Sequence, residues 1–205
     1  MTGPTLARER ALWKAGLNII AGVDEAGRGP LAGPVIAAAV VFGPAAAPPD
    51  GIDDSKAMTA AARSAAAVRV QRAALAWAVG AASVREIDRE NILQATARAM
   101  RRALERLRVI PDRVLVDGLP LRALGRPHEA IVGGDAQSIS IAAASILAKV
   151  TRDRLMERLA PRYPAFAWED NKGYGTPHHL AALRTLGPTP HHRASFAPVR
   201  QLTLL

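Results

Sequence analysis

Residues 19–30, Ile19-Ile20-Ala21-Gly22-Val23-Asp24-Glu25-Ala26-Gly27-Arg28-Gly29-Pro30, decide the fold. Residues 19–24 are apolar and partly β-branched, the composition of a buried strand. This run leads straight into two adjacent acids. Alternation along a strand would aim one acid into the core unless the chain turns there. Residues 27–32, Gly-Arg-Gly-Pro-Leu-Ala, also satisfy the G-x-G-x-x-A spacing of a dinucleotide-binding turn. That reading requires a helix next, whereas Pro30, Pro34 and the β-rich run 35–42 supply a loop and a second strand, so it fails on context. Gly27 and Gly29 are better read as bare backbone that a ligand can approach closely.

Working outward, further strands are expected at 76–82, 113–116 and 130–132. Helices are expected at 5–15, 59–75, 84–107 and 138–159, with Thr59 capping the second. Ser83 and Glu86 form a capping box for the third. Pro161 and Pro164 close the fourth. Strands alternating with helices predict an α/β domain with a central mixed β-sheet flanked by helices. Without a repeat or dividing linker, residues 1–205 are expected to form one domain, with about 176–205 a small C-terminal helical lobe.

Asp24-Glu25, Asp117 and Asp135 each end an apolar run. Carboxylates at the ends of adjacent strands can converge on one sheet edge, and their mutual repulsion then calls for cations. Hard oxygen donors suit Mg²⁺ or Mn²⁺, and a pair of such ions is a common solution for phosphodiester hydrolysis. Taken one at a time, acids after strands serve equally well as turn formers or caps, and Asp117-Gly118 is a good turn by itself.

Composition narrows the alternatives. Lys and Arg total 27 against 18 Asp and Glu, a formal charge of +9, which favours a polyanionic partner. There is no cysteine, so disulfides, thiolate zinc sites and a cysteine nucleophile are excluded, as fits a reducing, cytoplasmic setting. The N-terminal residues lack the apolar run of a signal peptide, and prolines and glycines break the long uncharged stretch 29–49, so neither export nor a membrane span is expected. His178-His179 and His191-His192 lack a third-ligand motif and read as structural. Ser55-Lys56 could suggest a hydrolase dyad, but adjacency carries no geometry, and a lysine near acids serves equally as a phosphate contact. Aromatic residues make up only 4% of the chain, so the Ala-rich core should rely on close approach between elements.

At residues 21–35 the sequence resembles ribonuclease HII. The resemblance continues at Asp54-Ser55-Lys56, Val116-Asp117-Gly118, Gly134-Asp135, 142–154, 172–176 and 192–199, in family order over nearly the whole chain. It implies a ribonuclease H-like fold and a monomer with a four-carboxylate site of Asp24, Glu25, Asp117 and Asp135 holding Mn²⁺ or Mg²⁺. Asp24 would bridge two ions, one carrying the attacking water and the other the leaving 3′-oxygen. The implied activity is cleavage of the RNA strand of RNA–DNA hybrids and incision 5′ of single ribonucleotides in duplex DNA, leaving 3′-hydroxyl and 5′-phosphate ends. Gly27, Arg28 and Gly29 would sense the 2′-hydroxyl, which distinguishes RNA from DNA. Tyr174 would stack on the following deoxyribose, Lys56 and Ser138 would contact phosphates, and the run 142–145 would pack its helix on the sheet.

Two other readings compete: a hybrid-specific nuclease of the same fold without single-ribonucleotide activity, and an inactive hybrid-binding protein. The Gly-Arg-Gly loop and Tyr174 weigh against the first, and the complete set of acids against the second. The sequence runs only a few residues past Pro198-Val199, without the long helical extension of some family members, so a weaker substrate grip from the lobe is expected. Its last five residues, Gln201-Leu202-Thr203-Leu204-Leu205, resemble a sliding-clamp docking peptide, with packing of the leucines on the lobe as the alternative.

Overall fold

The computed structural model describes residues 3–52, 55 and 58–202. After helix α1 (Ala7–Lys14), strands β1 (Ile20–Ala26) and β2 (Val35–Phe42) form an antiparallel pair. Helix α2 (Ala60–Ala73) leads to β3 (Ala76–Ala82), which pairs antiparallel with β2. Helices α3 (Val84–Glu90) and α4 (Ile92–Glu105) precede β4 (Arg113–Asp117) and β5 (Glu129–Ile131), which extend the sheet in parallel from β1. The order β3-β2-β1-β4-β5 is the mixed sheet expected of a ribonuclease H-like fold.

Helices cover both sheet faces. Alternate residues of β2 feed two separate cores: Val35, Ala37, Ala39 and Val41 pack toward α4, whereas Ile36, Ala38, Val40 and Phe42 pack toward α2 and the long α5 (Ile139–Leu159). The Ala-rich composition sets the spacing. A Cβ on Gly22 would lie 2.2 Å from the Ser140 carbonyl carbon, so α5 rests directly on β1.

Most ends shift by one or two residues, and two differences have a physical cause in the structure. The helix expected over 84–107 is broken at Asn91, whose φ of 73° ends α3 while its side chain accepts from Leu93 and Gln94 N–H to start α4. Asparagine tolerates this left-handed region and doubles as an N-cap. Strand β5 begins one residue early, because Glu129 already pairs with Leu115.

Beyond α5 the chain builds the lobe from α6 (Trp168–Asn171), α7 (Pro177–Leu186) and α8 (Ala197–Leu202). Its core of Phe166, Trp168, Leu183 and Val199 closes on Leu31 and Ala32 of the loop after β1 and on Met156 of α5. Among the described residues, no helix is long and apolar enough to cross a membrane.

Candidate active site

Parallel strands β1 and β4 deliver their C-terminal ends to one edge of the sheet. Val23 pairs with Val116, so Asp24 and Asp117 follow side by side. Both acids, with Glu25, line a cavity of about 570 Å³. Gly27, Arg28, Gly29 and Tyr174 line the same cavity. The open end of a parallel pair is where α/β sheets commonly place ligands.

Asp24 is almost fully buried. Its Oδ1 accepts the Glu25 N–H at 2.7 Å, and Ser145 of α5 adds a side-chain hydrogen bond. Burial, then the charges of Glu25 and Asp117, hold the Asp24 carboxyl well above the usual carboxylate range. Burial raises Glu25 as well, opposed by Arg28, whose guanidinium lies 3.3 Å from Glu25 Oε1. A divalent cation would relieve the repulsion among these acids, and all the donors are hard oxygens, so the residues present fit Mg²⁺ or Mn²⁺.

Asp135 stands apart. It sits in the 3₁₀ turn Gly134–Ala136, largely buried, and is absent from the cavity wall. Its neighbour Gly134 donates its N–H to Asp117 Oδ1 at 2.7 Å, tying the turn to the site. Among the described residues, no three acidic or histidine side chains already form a metal cage.

Ser138 corrects the sequence reading. Its side chain is fully buried as the N-cap of α5, accepting from Ile141 N–H while its Oγ donates to Glu9 Oε1 at 2.6 Å. A hydroxyl committed to two internal partners and closed to solvent cannot reach a phosphate. The expected packing role of 142–145 holds for Ala142, Ala143 and Ala144, but Ser145 faces the cavity and also meets Ser55 Oγ at 2.9 Å. Lys56 lies outside the described residues.

Several cavity residues escaped the sequence reading: Ser145, Lys149 and Arg152 on α5, Met58 just before α2, and Arg63 in its first turn. The i, i+4, i+7 spacing of the first three places them on one helix face, a signal available from sequence. Two buried arginines shape the rim. Arg152 donates to the carbonyls of Ala32, Pro34 and Lys172, and Arg193 to those of Gly27, Arg28 and Gly33. A Cβ on Gly27, where φ is +95°, would lie 2.0 Å from Arg152 Nε, so this glycine makes room for an arginine. Gly29 is the open one: a Cβ there would lie 3.6 Å from Tyr174 Cε1 and touch nothing nearer.

The two histidine pairs lie in the lobe away from the cavity wall, and His179 and His192 are both buried.

Comparison with known proteins agrees with this architecture. The family model for ribonuclease HII matches residues 21–199. The chain is similar to ribonuclease HII of Paracoccus denitrificans, 55% identical over 203 residues, covering 98% of this chain and 96% of that relative. Among solved structures it is similar to ribonuclease H2 of Pyrococcus horikoshii, with a TM-score of 0.76 and 27% identity over 90% of this chain and 96% of that one. It is also similar to ribonuclease HII of Archaeoglobus fulgidus, determined as a complex with PCNA, with a TM-score of 0.68 and 25% identity over 89% of this chain and 96% of that one.

Proposed function

The chain belongs to the ribonuclease HII family of endoribonucleases, which cleave the RNA of RNA–DNA hybrids, and from that premise we propose that it also incises duplex DNA 5′ of a single embedded ribonucleotide. Water adds to phosphorus and the 3′-oxygen leaves, giving a 3′-hydroxyl and a 5′-phosphate. The observation that carries this reading is the Tyr174 ring lying beside Gly29 in the lining of the cavity that also holds Asp24, Glu25 and Asp117. The backbone of 27–29, open at Gly29, meets the 2′-hydroxyl of a ribose, and the half-exposed Tyr174 ring stacks on the deoxyribose that follows.

Asp24, Glu25, Asp117 and Asp135 would hold the divalent cations. Mg²⁺ or Mn²⁺ bound there would supply Lewis acidity for the hydrolysis. Ser145 and the Glu25 N–H hold the Asp24 carboxylate in one orientation. Arg28, Lys149 and Lys56 supply positive charge for the neighbouring phosphates. The test compares three labelled duplexes: a uniform hybrid, DNA with one ribonucleotide, and DNA alone. Each is incubated with and without each metal, and the product ends are mapped. Cleavage of the hybrid but not of the single-ribonucleotide duplex would reject the proposal.

We further propose a contact with a sliding clamp through residues 201–205, which resemble a clamp-docking peptide; the similar Archaeoglobus fulgidus protein was determined in complex with PCNA. Gln201 is exposed, whereas Leu202 packs partly against the lobe, and Thr203, Leu204 and Leu205 lie outside the described residues. Calorimetry of the whole protein and a 201–205 deletion against the clamp tests this. No binding by the intact protein at tens of micromolar (about −6 to −7 kcal/mol) would end it.

A further inference from the structure

Behind Tyr174 runs a line of hydrogen bonds that the hydrolysis does not use. The Thr189 N–H points at His192 Nδ1 at 2.9 Å. His192 Nε2 lies 2.9 Å from His179 Nε2, and His179 Nδ1 lies 2.8 Å from the Tyr174 carbonyl oxygen. The Thr189 hydroxyl, which accepts the His191 N–H at 3.2 Å, also lies 3.0 Å from His192 Nδ1 and can donate to it, so the groups at both ends are consistent with one order of protons. A backbone N–H only donates, so His192 Nδ1 is bare and its proton sits on Nε2. A carbonyl only accepts, so His179 is protonated on Nδ1 and bare on Nε2. The rings therefore meet with His192 Nε2–H donating to His179 Nε2, which the Trp168 indole N–H also approaches at 3.3 Å. With both rings neutral, every ring nitrogen has a partner of the right kind.

The same two histidines connect the substrate-reading elements. The backbone of His192 bridges to Ala32, and the next residue, Arg193, donates its N–H to Leu31 O and its guanidinium to Gly27 and Arg28 carbonyls. Thus His192 is joined by backbone to Ala32, through the neighbouring Arg193 side chain to the Gly-Arg-Gly loop, and through the ring of His179 to Tyr174.

We propose that His192 and His179 form a positioning pair that sets the gap between the Gly-Arg-Gly loop and the Tyr174 ring, and thereby the preference for a ribonucleotide followed by a deoxyribonucleotide. The proposal rests on the junction-reading role of Tyr174 given above. If the pair only filled the lobe core, weakening it would lower stability and harm all substrates equally. As a positioning pair, it acts on one substrate more than the other.

Two substitutions separate these roles. His192→Asn keeps an oxygen near Nδ1 to accept from Thr189 but removes the donor to His179. His192→Gln places an amide N–H near the Nε2 position and so restores that donor. The readout is the ratio of kcat/KM on a single-ribonucleotide duplex to kcat/KM on a uniform hybrid, for the full chain. His192→Asn lowers the ratio by up to about tenfold, no further than Tyr174→Ala does, and His192→Gln recovers most of it. Nitrogen NMR of the wild-type rings shows the Nε2–H form of His192 and the Nδ1–H form of His179. The reversed forms would overturn the proposal without any variant, as would an unchanged ratio in a folded His192→Asn protein. Tyr174→Ala is measured alongside. A ratio lost there but kept in His192→Asn overturns the pair's role alone, whereas a ratio kept in both overturns the Tyr174 reading and the pair together.

Discussion

The sheet and the lobe hold their shape by opposite means. The strands beneath the acids are packed with Ala and Val at zero exposure, and the helices lie so close that Gly22 cannot carry a methyl group. The lobe gathers Tyr163, Phe166, Trp168 and Phe196, with the Phe166 and Trp168 rings stacked at 5.6 Å, and seals its seam to the sheet with arginine–carbonyl bonds. Asp24 and Asp117 thus sit on strands packed on both faces, whereas Tyr174 sits on a unit docked through an apolar contact with Leu31, Ala32 and Met156 and through the arginine–carbonyl bonds. Bond-breaking demands the tighter tolerance and is carried by the sheet; substrate choice is carried by the lobe.

The largest effect should come from the sheet edge. Asp117→Asn or Asp24→Asn is expected to cut cleavage of every substrate by at least about a hundredfold, the lower end for losing one electrostatic stabiliser. Folding should survive. The Asp24 carboxyl is raised in the fold, so its charge opposes the metal-free state increasingly as pH rises through that raised value. Metal-free Asp24→Asn should therefore melt no lower than wild type at neutral pH, while the gain in Tm from added Mn²⁺ shrinks. Near-normal cleavage by Asp117→Asn under saturating metal would remove the chemistry from this edge.

The seam comes next. Arg193→Met strips donors from three carbonyls, and a buried unsatisfied group costs roughly 1–3 kcal/mol. A loss of about 3 kcal/mol or more is expected in urea unfolding, with both substrates affected. A stable Arg193→Met protein would mean the seam does not depend on these bonds.

The contrast between the two regions also explains what the sequence made legible. Strands β1, β2 and β3 follow from local composition, and the edge shared by Asp24, Glu25 and Asp117 follows from strand ends. Arg193 was not legible as a brace, because its bond to Gly27 spans 166 positions and no local pattern announces it. Ser138 was misread as a phosphate contact because a helix start looks the same in sequence whether open or buried; Glu9, far away in the chain, closes it. The break at Asn91 is hidden because apolar spacing runs on through it, although an asparagine able to adopt positive φ was the available cue.

Acid should weaken the lobe through His192, whose pKa is lowered to about 4, by burial first and then by the neighbouring His179. An unfolded histidine titrates near 6.5, so the unfolded chain binds the extra proton between those values. The stabilisation is full above about pH 6.5 and is lost as pH falls toward 4, by on the order of 3 kcal/mol. The carboxyls of Asp24 and Glu25 titrate in the opposite sense, so the quantity to measure is the difference between wild-type and His192→Gln stability across this range. A difference that does not change with pH would show that the ring is not held neutral.

The smallest expected effect separates the Tyr174 ring from its hydroxyl. Stacking on a sugar or base is worth about 1–3 kcal/mol and depends on the ring face. Tyr174→Ala should therefore lower cleavage at a lone ribonucleotide by roughly tenfold or more relative to cleavage within a long RNA tract. Tyr174→Phe keeps the ring and its 3.6 Å approach to the Gly29 methyl position, so its ratio should stay within about twofold of wild type. The side chain is half exposed, so neither change should cost much stability. A ratio lost in Tyr174→Phe as fully as in Tyr174→Ala would shift recognition from the ring face to the hydroxyl. Equal losses on both substrates in Tyr174→Ala would instead mean that the ring serves the cleavage step in general, and the division of labour between sheet and lobe would fail at its most exposed residue.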